Sequence, residues 1–598
     1  MKEFLFLLFL VFLPCSVFPQ QEKSITILFT NDLHSRLAGY SPESEYSPLS
    51  INDDGTRGGF ARIAAILKKE RNQNPGITLT LDAGDFLMGT LFQSLEPKTG
   101  FQLRLMKKMG YDVVATGNHE FDYGPSKLAS ILRSAGRNGE MPPVLLSNAV
   151  FDSKDTADNS LERCFDEGLV RRTTIIEKEG LKFGFFSLMG KVADENAAFA
   201  KPLTFAKQAK TAREMVKKLQ DEGCSIIICL SHSGVEKNPD GSWGGEDVEL
   251  AEKVKGIDVI ISGHTHTVLD KPVIIKGIPV VESGEYGKFT GKLKLFYSGG
   301  KLNVESYSLI PVDDRIKGDP EVNSLIVDEK NAIEESILKP IGLSYNRPIA
   351  EAGFPLECNE QGEFMKSNLA PLVADAIHSY VNRHAAGGTD LSMVAVGVIR
   401  DNVAPGIQTA PDIFRIMSMG AGNDIIPGYP LARVYVTGKE LKSILEILLV
   451  AYKSAPANYC YYSGISVGYD PEGGLLKKIK KIQIIRNGLA SETVDFSKKN
   501  TKLYSITANS YMLEFVGIIK KMSFGLINVV PKDVAGHPVR DMKAAVIDMD
   551  DKSAGIQEGR EWLALTEYMR SMKDADNDGI PDIDLKYKES VSAFTVIP

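Results

Sequence analysis

Residues 24–34 read SITILFTNDLH, an apolar run that closes on Asn31, Asp32 and His34. A short β-branched and aromatic run of this kind is a buried strand, and the polar residues mark where it leaves the core. The plan recurs downstream. TLTLDAGD (78–85) ends in Gly84 and Asp85, and DVVATGN (112–118) ends in Asn118 and runs on into His119, Glu120, Phe121 and Asp122. PVLLSNA (143–149) is another such strand, CSIIICLSH (224–232) ends in His232, and DVIISGH (258–264) ends in His264 and continues to His266. In an open α/β sheet ligands bind beyond the carboxyl ends of the strands. Five of the eight histidines fall at these ends, so five distant segments are expected to build one site.

Between the strands, GGFARIAAILKKE (58–70), FQLRLMKKM (101–109), SKLASILRSAG (126–136) and KQAKTAREMVKKLQDEG (207–223) carry apolar residues at three- and four-residue spacing, the period of a helix with one buried face. TTIIEKEGLKFGFFSLMG (173–190) and GKLKLFYSGGKLNVESYSL (291–309) read as hairpins around EG and SGG turns, so part of the sheet is antiparallel. The expected fold class is α/β, with mixed sheets flanked by helices over residues 24–315. A polar helical stretch followed by breakers makes 316–347 a linker helix. A second α/β unit follows over 348–548, with a long helix in GEFMKSNLAPLVADAIHSYVNRH (362–384) and a buried strand in LSMVAVGVI (391–399). Residues 549–598 form an acidic tail: from 546 onward there are 12 acids and 6 bases, which supply −6 of the net −8.

At 598 residues the chain exceeds a single core. Its 43% hydrophobic and 24% charged residues exclude collagen-like, coiled-coil, polytopic and mainly disordered classes. With Lys+Arg 69 against Asp+Glu 77, no basic surplus exists to neutralise a phosphate backbone, so nucleic acid is not an expected partner. Lys2, the apolar run Phe4–Leu13 and the exit at Pro14, Cys15 and Ser16 have the plan of a secretory signal peptide over 1–20, too short for a membrane span. The mature chain is expected to be exported, either periplasmic or at the cell surface or secreted. Cys15 is a candidate lipid-anchor site, although Pro14 fits poorly before it. The other five cysteines lack C-x-x-C spacing and form no metal cluster; Cys224 and Cys229 read as core, and pairing of Cys358 with Cys460 stays open, as does oligomeric state.

The ordered set D-x-H, G-D, G-N-H-E, a later His and G-H-x-H resembles the calcineurin-like metallophosphoesterases, and the segments SNLAPLVADAI, VAVGVIRDNV and VYVTGKELKSILE resemble their secreted 5′-nucleotidase branch. The resemblance implies a metallophosphoesterase sandwich joined by the linker helix to a 5′-nucleotidase-type substrate domain. It implies that Asp32, His34 and His266 hold one ion, that Asn118, His232 and His264 hold the other, and that Asp85 bridges them. His119 would stay unligated, facing substrate, with Asp122 as its partner. Imidazole and carboxylate donors suit two divalent transition ions, Zn, Mn, Fe or Co. Such a pair lowers the pKa of a bound water toward ~7 and clamps an in-line displacement, so the nucleophile is a bridging hydroxide that cleaves a phosphomonoester. His119 would neutralise charge or protonate the leaving alkoxide.

In the second domain the family pattern changes. N-x-G-G-I-R becomes Ala395–Arg400 without the asparagine, and P-F-G-N becomes Ser418–Asn423. The F-x-x-G-G-D-G-Y loop is replaced by Asn509–Glu514, and Ser367–Pro371 lacks an arginine. Arg400 is the remaining candidate for the substrate phosphate, and loss of an aromatic sandwich for the base is expected. The expected function is a 5′-nucleotidase-like phosphohydrolase acting on a small phosphorylated substrate, a nucleotide first. The alternatives are a nucleotide diphosphate-sugar hydrolase or 2′,3′-cyclic phosphodiesterase and, in another class, an exported metal-loaded binding or adhesion protein. In the tail, Asp574, Asp576, Asp578 and Asp582 with Gly579 space oxygen donors as a calcium loop does, with Leu585 where an EF-hand has Glu.

Overall fold

The apolar runs form two facing sheets. In the computed structural model, which describes residues 22–39, 42–197, 199–358, 366–451, 458–514 and 529–597, the first sheet is built from β1 (Lys23–Thr30), β2 (Ile77–Asp82), β3 (Val113–Ala115), β4 (Val144–Leu145) and β5 (Val170–Arg171). The second contains β6 (Thr173–Lys178), β7 (Leu181–Met189), β8 (Ile226–His232), β9 (Val259–Gly263), β10 (Val273–Ile275) and β11 (Ile278–Val281). The hairpin β12 (Phe289–Ser298) and β13 (Lys301–Pro311) returns to the first sheet, giving the orders β13-β12-β1-β2-β3-β4-β5 and β10-β11-β9-β8-β7-β6. β1 to β5 run parallel, as do β7, β8, β9 and β11, while both expected hairpins are antiparallel. The leader expected over residues 1–20, with Cys15, lies outside the described residues.

Period-two alternation decides which side chains meet between the sheets. Ile25, Ile27 and Phe29 of β1 pack with Phe183 and Phe185 of β7 and with Ile226, Ile228 and Leu230 of β8 in one buried cluster. The intervening Leu28 faces the helices α1 (Phe60–Gln73), α2 (Phe101–Met109) and α3 (Gly124–Asn138), whereas Ile227 and Cys229 face α4 (Gln208–Asp221) and α5 (Glu246–Lys253). Cys229 is therefore a core residue. Each buried aliphatic contributes ~1.5–3 kcal/mol, and two apolar faces per sheet explain why these strands read as unbroken apolar runs.

Helix α6 (Pro320–Ile333) starts at Asp319, whose carboxylate caps the Glu321 and Val322 amides at 3.0 and 3.1 Å. The second domain holds α7 (Leu369–His384), β14 (Leu391–Ala395), β15 (Leu431–Thr437), α8 (Gly438–Ala451), β16 (Cys460–Ser463), β17 (Ile465–Tyr469), β18 (Ile479–Arg486), β19 (Leu489–Thr493) and β20 (Leu503–Asn509). Its sheets are ordered β15-β20-β14-β16 and β19-β18-β17-β21, the last strand being β21 (Phe594–Val596). Among the described residues, the expected long helix begins only at Leu369, because the Ser367 hydroxyl accepts the Ala370 amide at 2.9 Å and stops it there. Cys358 and Cys460 are not bonded to each other. The acidic end is distinct in charge but not in packing. Trp562 of α9 (Glu561–Arg570) is fully buried and donates to the Pro427 carbonyl, and β21 pairs with β17.

The two domains meet through buried ion pairs. Arg415 reaches Asp401 at 3.0 Å, Glu43 at 3.1 Å and Asp412 at 2.6 Å, and Arg36 reaches Asp401 at 2.9 Å.

Candidate active site

The seven expected ligands converge beyond the carboxyl ends of β1, β2, β3, β8 and β9. Asp32, His34, Asp85, Asn118 and His232 are buried, and His264 and His266 are half-buried. Asp85 Oδ2 lies 3.0 Å from His232 Nε2, and Asn118 Oδ1 lies 3.2 Å from His232 Nε2 and 3.0 Å from His264 Nδ1. On the other side His34 Nε2 is 3.2 Å from His266 Nε2, and His266 Nε2 is 3.4 Å from Asp32 Oδ1. Ligand atoms of Asp32, His34 and His266, and again of Asp32, Asp85 and His232, all lie within 4.8 Å of one another.

The backbone is strained where these groups are presented. Asp32, His34, Asp85, His264 and His266 have φ of 51, 48, 54, 89 and 56°. Ser35, Met88 and Tyr286 beside them are also left-handed, so eight of the fourteen non-glycine residues with positive φ among the described residues belong to this one region. Each such residue costs roughly 1–3 kcal/mol and persists only where its surroundings over-determine it. They do so here: Asp32 and His34 donate their amides to the Gly84 and Asp85 carbonyls at 3.0 and 2.9 Å, stitching the end of β1 to that of β2.

Burial disfavours charge on the carboxylates, yet the His266 and His232 imidazoles hold Asp32 down at about 2, and His232 and His119 hold Asp85 well below the carboxylate range. Burial pushes the His34 imidazole far down and, with the His232 charge, His264 to about 3. Against the same burial, Asp85 and Asp32 lift His232 and His266 to about 10. Ionised carboxylates, imidazoles and an amide oxygen aimed at one buried point fit divalent cations of the zinc or manganese type, and among the described residues no thiol joins them.

His119 stands beside this cluster, its ring 5.2 Å from that of His34, with Nδ1 2.8 Å from Asp122 Oδ2. Arg400, from the second domain, lines a small cavity together with His34, His119, Arg36, Tyr286 and Ser418. Three further rings were not legible as site residues. Tyr429 and Tyr511 stack with centroids 5.2 Å apart at 6°, and Phe199 lies 5.6 and 6.1 Å from them. The Tyr429 amide donates to the Met419 carbonyl at 2.9 Å, and Met419 lines the same small cavity as His119 and Arg400, which places the rings beside it. Three rings thus cluster here, Tyr511 from the segment Asn509–Glu514 and Tyr429 and Phe199 from elsewhere in the chain.

Sequence reasoning also missed Glu120 and Glu285. Glu120 is fully buried and accepts the amides of Gly117, Asp85 and Leu87 at 2.5, 3.1 and 2.9 Å, tying the ends of β2 and β3 together. Its place within GNHE was the available signal. Glu285 meets His266 Nδ1 at 2.6 Å, and nothing in its local sequence announces that contact. In the acidic end, carboxylate oxygens of Asp574, Asp576 and Asp582 group within 4.8 Å, and Asp576 and Asp578 group with Glu351 from strand Ala350–Ala352.

Residues 25–268 match the calcineurin-like phosphoesterase family, and residues 349–517 match the 5′-nucleotidase C-terminal domain. The chain is 27% identical over 448 residues to the trifunctional nucleotide phosphoesterase protein YfkN of Bacillus subtilis (strain 168), covering 71% of this chain but 27% of that longer protein. It is 27% identical over 496 residues to the 5′-nucleotidase of Bos taurus, covering 77% and 78% of the two chains. The crystal structure of a 5′-nucleotidase precursor from Thermus thermophilus superimposes with a TM-score of 0.66 at 19% identity, covering 96% of this chain and 99% of that one, and so shares its fold.

Proposed function

Because the chain belongs to the 5′-nucleotidase-like metallophosphoesterases, we propose that it is an exported phosphoric monoester hydrolase that takes nucleoside 5′-monophosphates. The observation that carries this reading is the convergence of Asp32, His34, Asp85, Asn118, His232, His264 and His266 from five strand ends beside the His119–Asp122 pair. Asp32, His34 and His266 would hold one ion, Asn118, His232 and His264 the other, and Asp85 would serve both. Bound there, two transition ions supply Lewis acidity toward the phosphoryl oxygens and lower the pKa of a coordinated water toward ~7.

The chain's own groups do the rest. Asp122 accepts from His119 Nδ1 and so orients the ring, and in its imidazolium form His119 carries on Nε2 the proton that passes to the departing alkoxide, leaving the neutral Nδ1–H tautomer behind. Arg400 offers a planar fork to the phosphate. Tyr429, Tyr511 and Phe199 offer a face on which a base can stack, worth ~1–3 kcal/mol. Export rests on Lys2 and the run Phe4–Leu13, with Cys15 as the lipid-anchor candidate, and mass spectrometry of the mature N-terminus checks both. No helix among the described residues is long and apolar enough to cross a membrane.

The loop Asp574, Asp576, Asp578 and Asp582 is assigned to calcium, with Glu351 adding the acid that position 585 lacks. A Ca²⁺-dependent rise in melting temperature that disappears in Asp576→Asn supports it; no rise at millimolar Ca²⁺ defeats it.

The decisive experiment is a substrate panel on chelated protein reloaded with Mn²⁺, Zn²⁺ or Co²⁺: p-nitrophenyl phosphate, nucleoside 5′-monophosphates, a nucleotide diphosphate-sugar and a 2′,3′-cyclic nucleotide. Metal-dependent release of phosphate from monophosphates is expected. Faster cleavage of either of the last two moves the assignment to that reaction, and no release from any substrate favours a binding protein.

A further inference from the structure

We propose that Glu285 is a positioning residue that aims His266 and strengthens it as a donor, so that one of the two metal positions depends on a single removable carboxylate. The inference rests on the metal-site reading above. His34, His232 and His266 each turn Nε2 toward the centre, which leaves Nδ1 to be held from behind. Nδ1 of His34 meets the Met88 carbonyl at 3.2 Å, and Nδ1 of His232 meets the Ala83 carbonyl at 3.0 Å. Those two supports are main-chain and neutral. Nδ1 of His266 instead meets Glu285 Oε2 at 2.6 Å.

The difference in chemistry is large. A hydrogen bond to a carboxylate is shorter and roughly twice as strong as one to a neutral acceptor. A carboxylate behind an imidazole also raises its basicity as a ligand and fixes its orientation. On the other side of the centre, the support behind His232 is the Ala83 carbonyl.

Glu285 is itself held in place. Its other oxygen, Oε1, takes Lys288 Nζ at 2.7 Å. The backbone on either side is tied to ligand-bearing segments: the Gly284 amide donates to the Thr267 carbonyl at 3.1 Å, Asn31 Nδ2 donates to the Gly284 carbonyl at 2.6 Å, and the Tyr286 amide donates to the Asp32 carbonyl at 2.7 Å. Tyr286 accepts φ +58° to make that last bond, and its ring packs 5.5 and 5.8 Å from those of His34 and His266. Glu285 is therefore registered to Asp32 and His266 together.

The test compares metal-free wild type, Glu285→Ala and Glu285→Gln, each titrated with Mn²⁺ and followed by bound metal per chain and by thermal shift. Wild type should take two ions. Glu285→Ala should lose ~10–100-fold in affinity at one position and leave the other within about twofold. Glu285→Gln keeps an acceptor oxygen without the charge and should fall between. If Glu285→Ala does not fold when metal-free, Glu285→Gln and Lys288→Met carry the test, and both should weaken one position. Two ions bound as tightly as in wild type, or equal losses at both positions, overturn the inference. Wild type that takes up no ion overturns the metal-site reading beneath it.

Discussion

Gly117 is the point at which a single methyl group should disable the site. A Cβ there would lie 2.3 Å from Asp85 Oδ1, 2.7 Å from the Asp85 amide nitrogen and 2.7 Å from His232 Cε1, whereas ordinary contact begins at 3.4 Å. Relief needs about 1 Å of movement. Asp85 is poorly placed to give it, since Oδ1 accepts the His119 amide at 2.8 Å, Oδ2 meets His232 Nε2 at 3.0 Å and its own amide donates to Glu120 at 3.1 Å. Overpacking of this kind costs ~1–3 kcal/mol, and breaking one hydrogen bond to a charged group adds ~1.5–3 kcal/mol. A misplacement of ~1 Å at a reacting centre lowers rate ~10²-fold. Gly117→Ala should therefore fold, melt lower and hydrolyse p-nitrophenyl phosphate at least ~10²-fold more slowly, with reduced metal content. Gly168→Ala is the control: φ is +72° there but nothing lies within 4 Å, so strain is added away from the site and turnover should be unchanged. Wild-type turnover with both ions bound in Gly117→Ala would refute the claim that Asp85 must sit where it does.

His119→Ala should keep both ions and lose ~10²–10⁴ in turnover, and full turnover in that variant removes His119 from the mechanism. Arg415→Met leaves the buried Glu43 and Asp412 and the half-buried Asp401 with fewer partners, and breaking a network of this kind costs up to ~3–5 kcal/mol, read by chemical denaturation; an unchanged midpoint contradicts it. Glu96 and Glu329 are pushed by burial from 4.5 up to about 8 and about 7. The folded chain then holds more protons than the unfolded one between those limits, so their stabilising contribution is complete below pH 4.5 and fades as pH rises through 7 to 8. Glu96→Gln should melt above wild type in mildly alkaline buffer and lose that advantage in acid. An advantage independent of pH sinks the assignment.

How much of this was legible in the sequence follows from what each feature depends on. Asp32, Asp85, Asn118, His232 and His264 could be located because each follows an apolar run, and a strand buried on both faces must end where such a run ends. Their meeting then needs parallel pairing within each sheet and the two sheets packed face to face with those ends on the same side. Glu285, Tyr429 and Glu351 depend on something else. Each lies in a loop or short strand whose partner is chosen by the return path of the chain, and no local period encodes that path. The aromatic rings show the consequence most directly. The expected positions in Ser418–Asn423 hold no ring, yet Gly420, with φ +83°, brings its backbone against the ring of Tyr429, which stacks on Tyr511 and is bonded to Met419 beside the cavity that His119 and Arg400 line. A stacking contact requires a ring at a place, not at a sequence number, so rings can stand near the site although the motif that would announce them is missing. The acidic end makes the converse case. Its charge marked it as separate, but burial is decided by Trp562, Arg560 and Phe594, few residues whose weight composition averages away. Residues presented by strand ends are thus readable one segment at a time, whereas the groups that pack behind and beside them become readable only once the segments have been brought together.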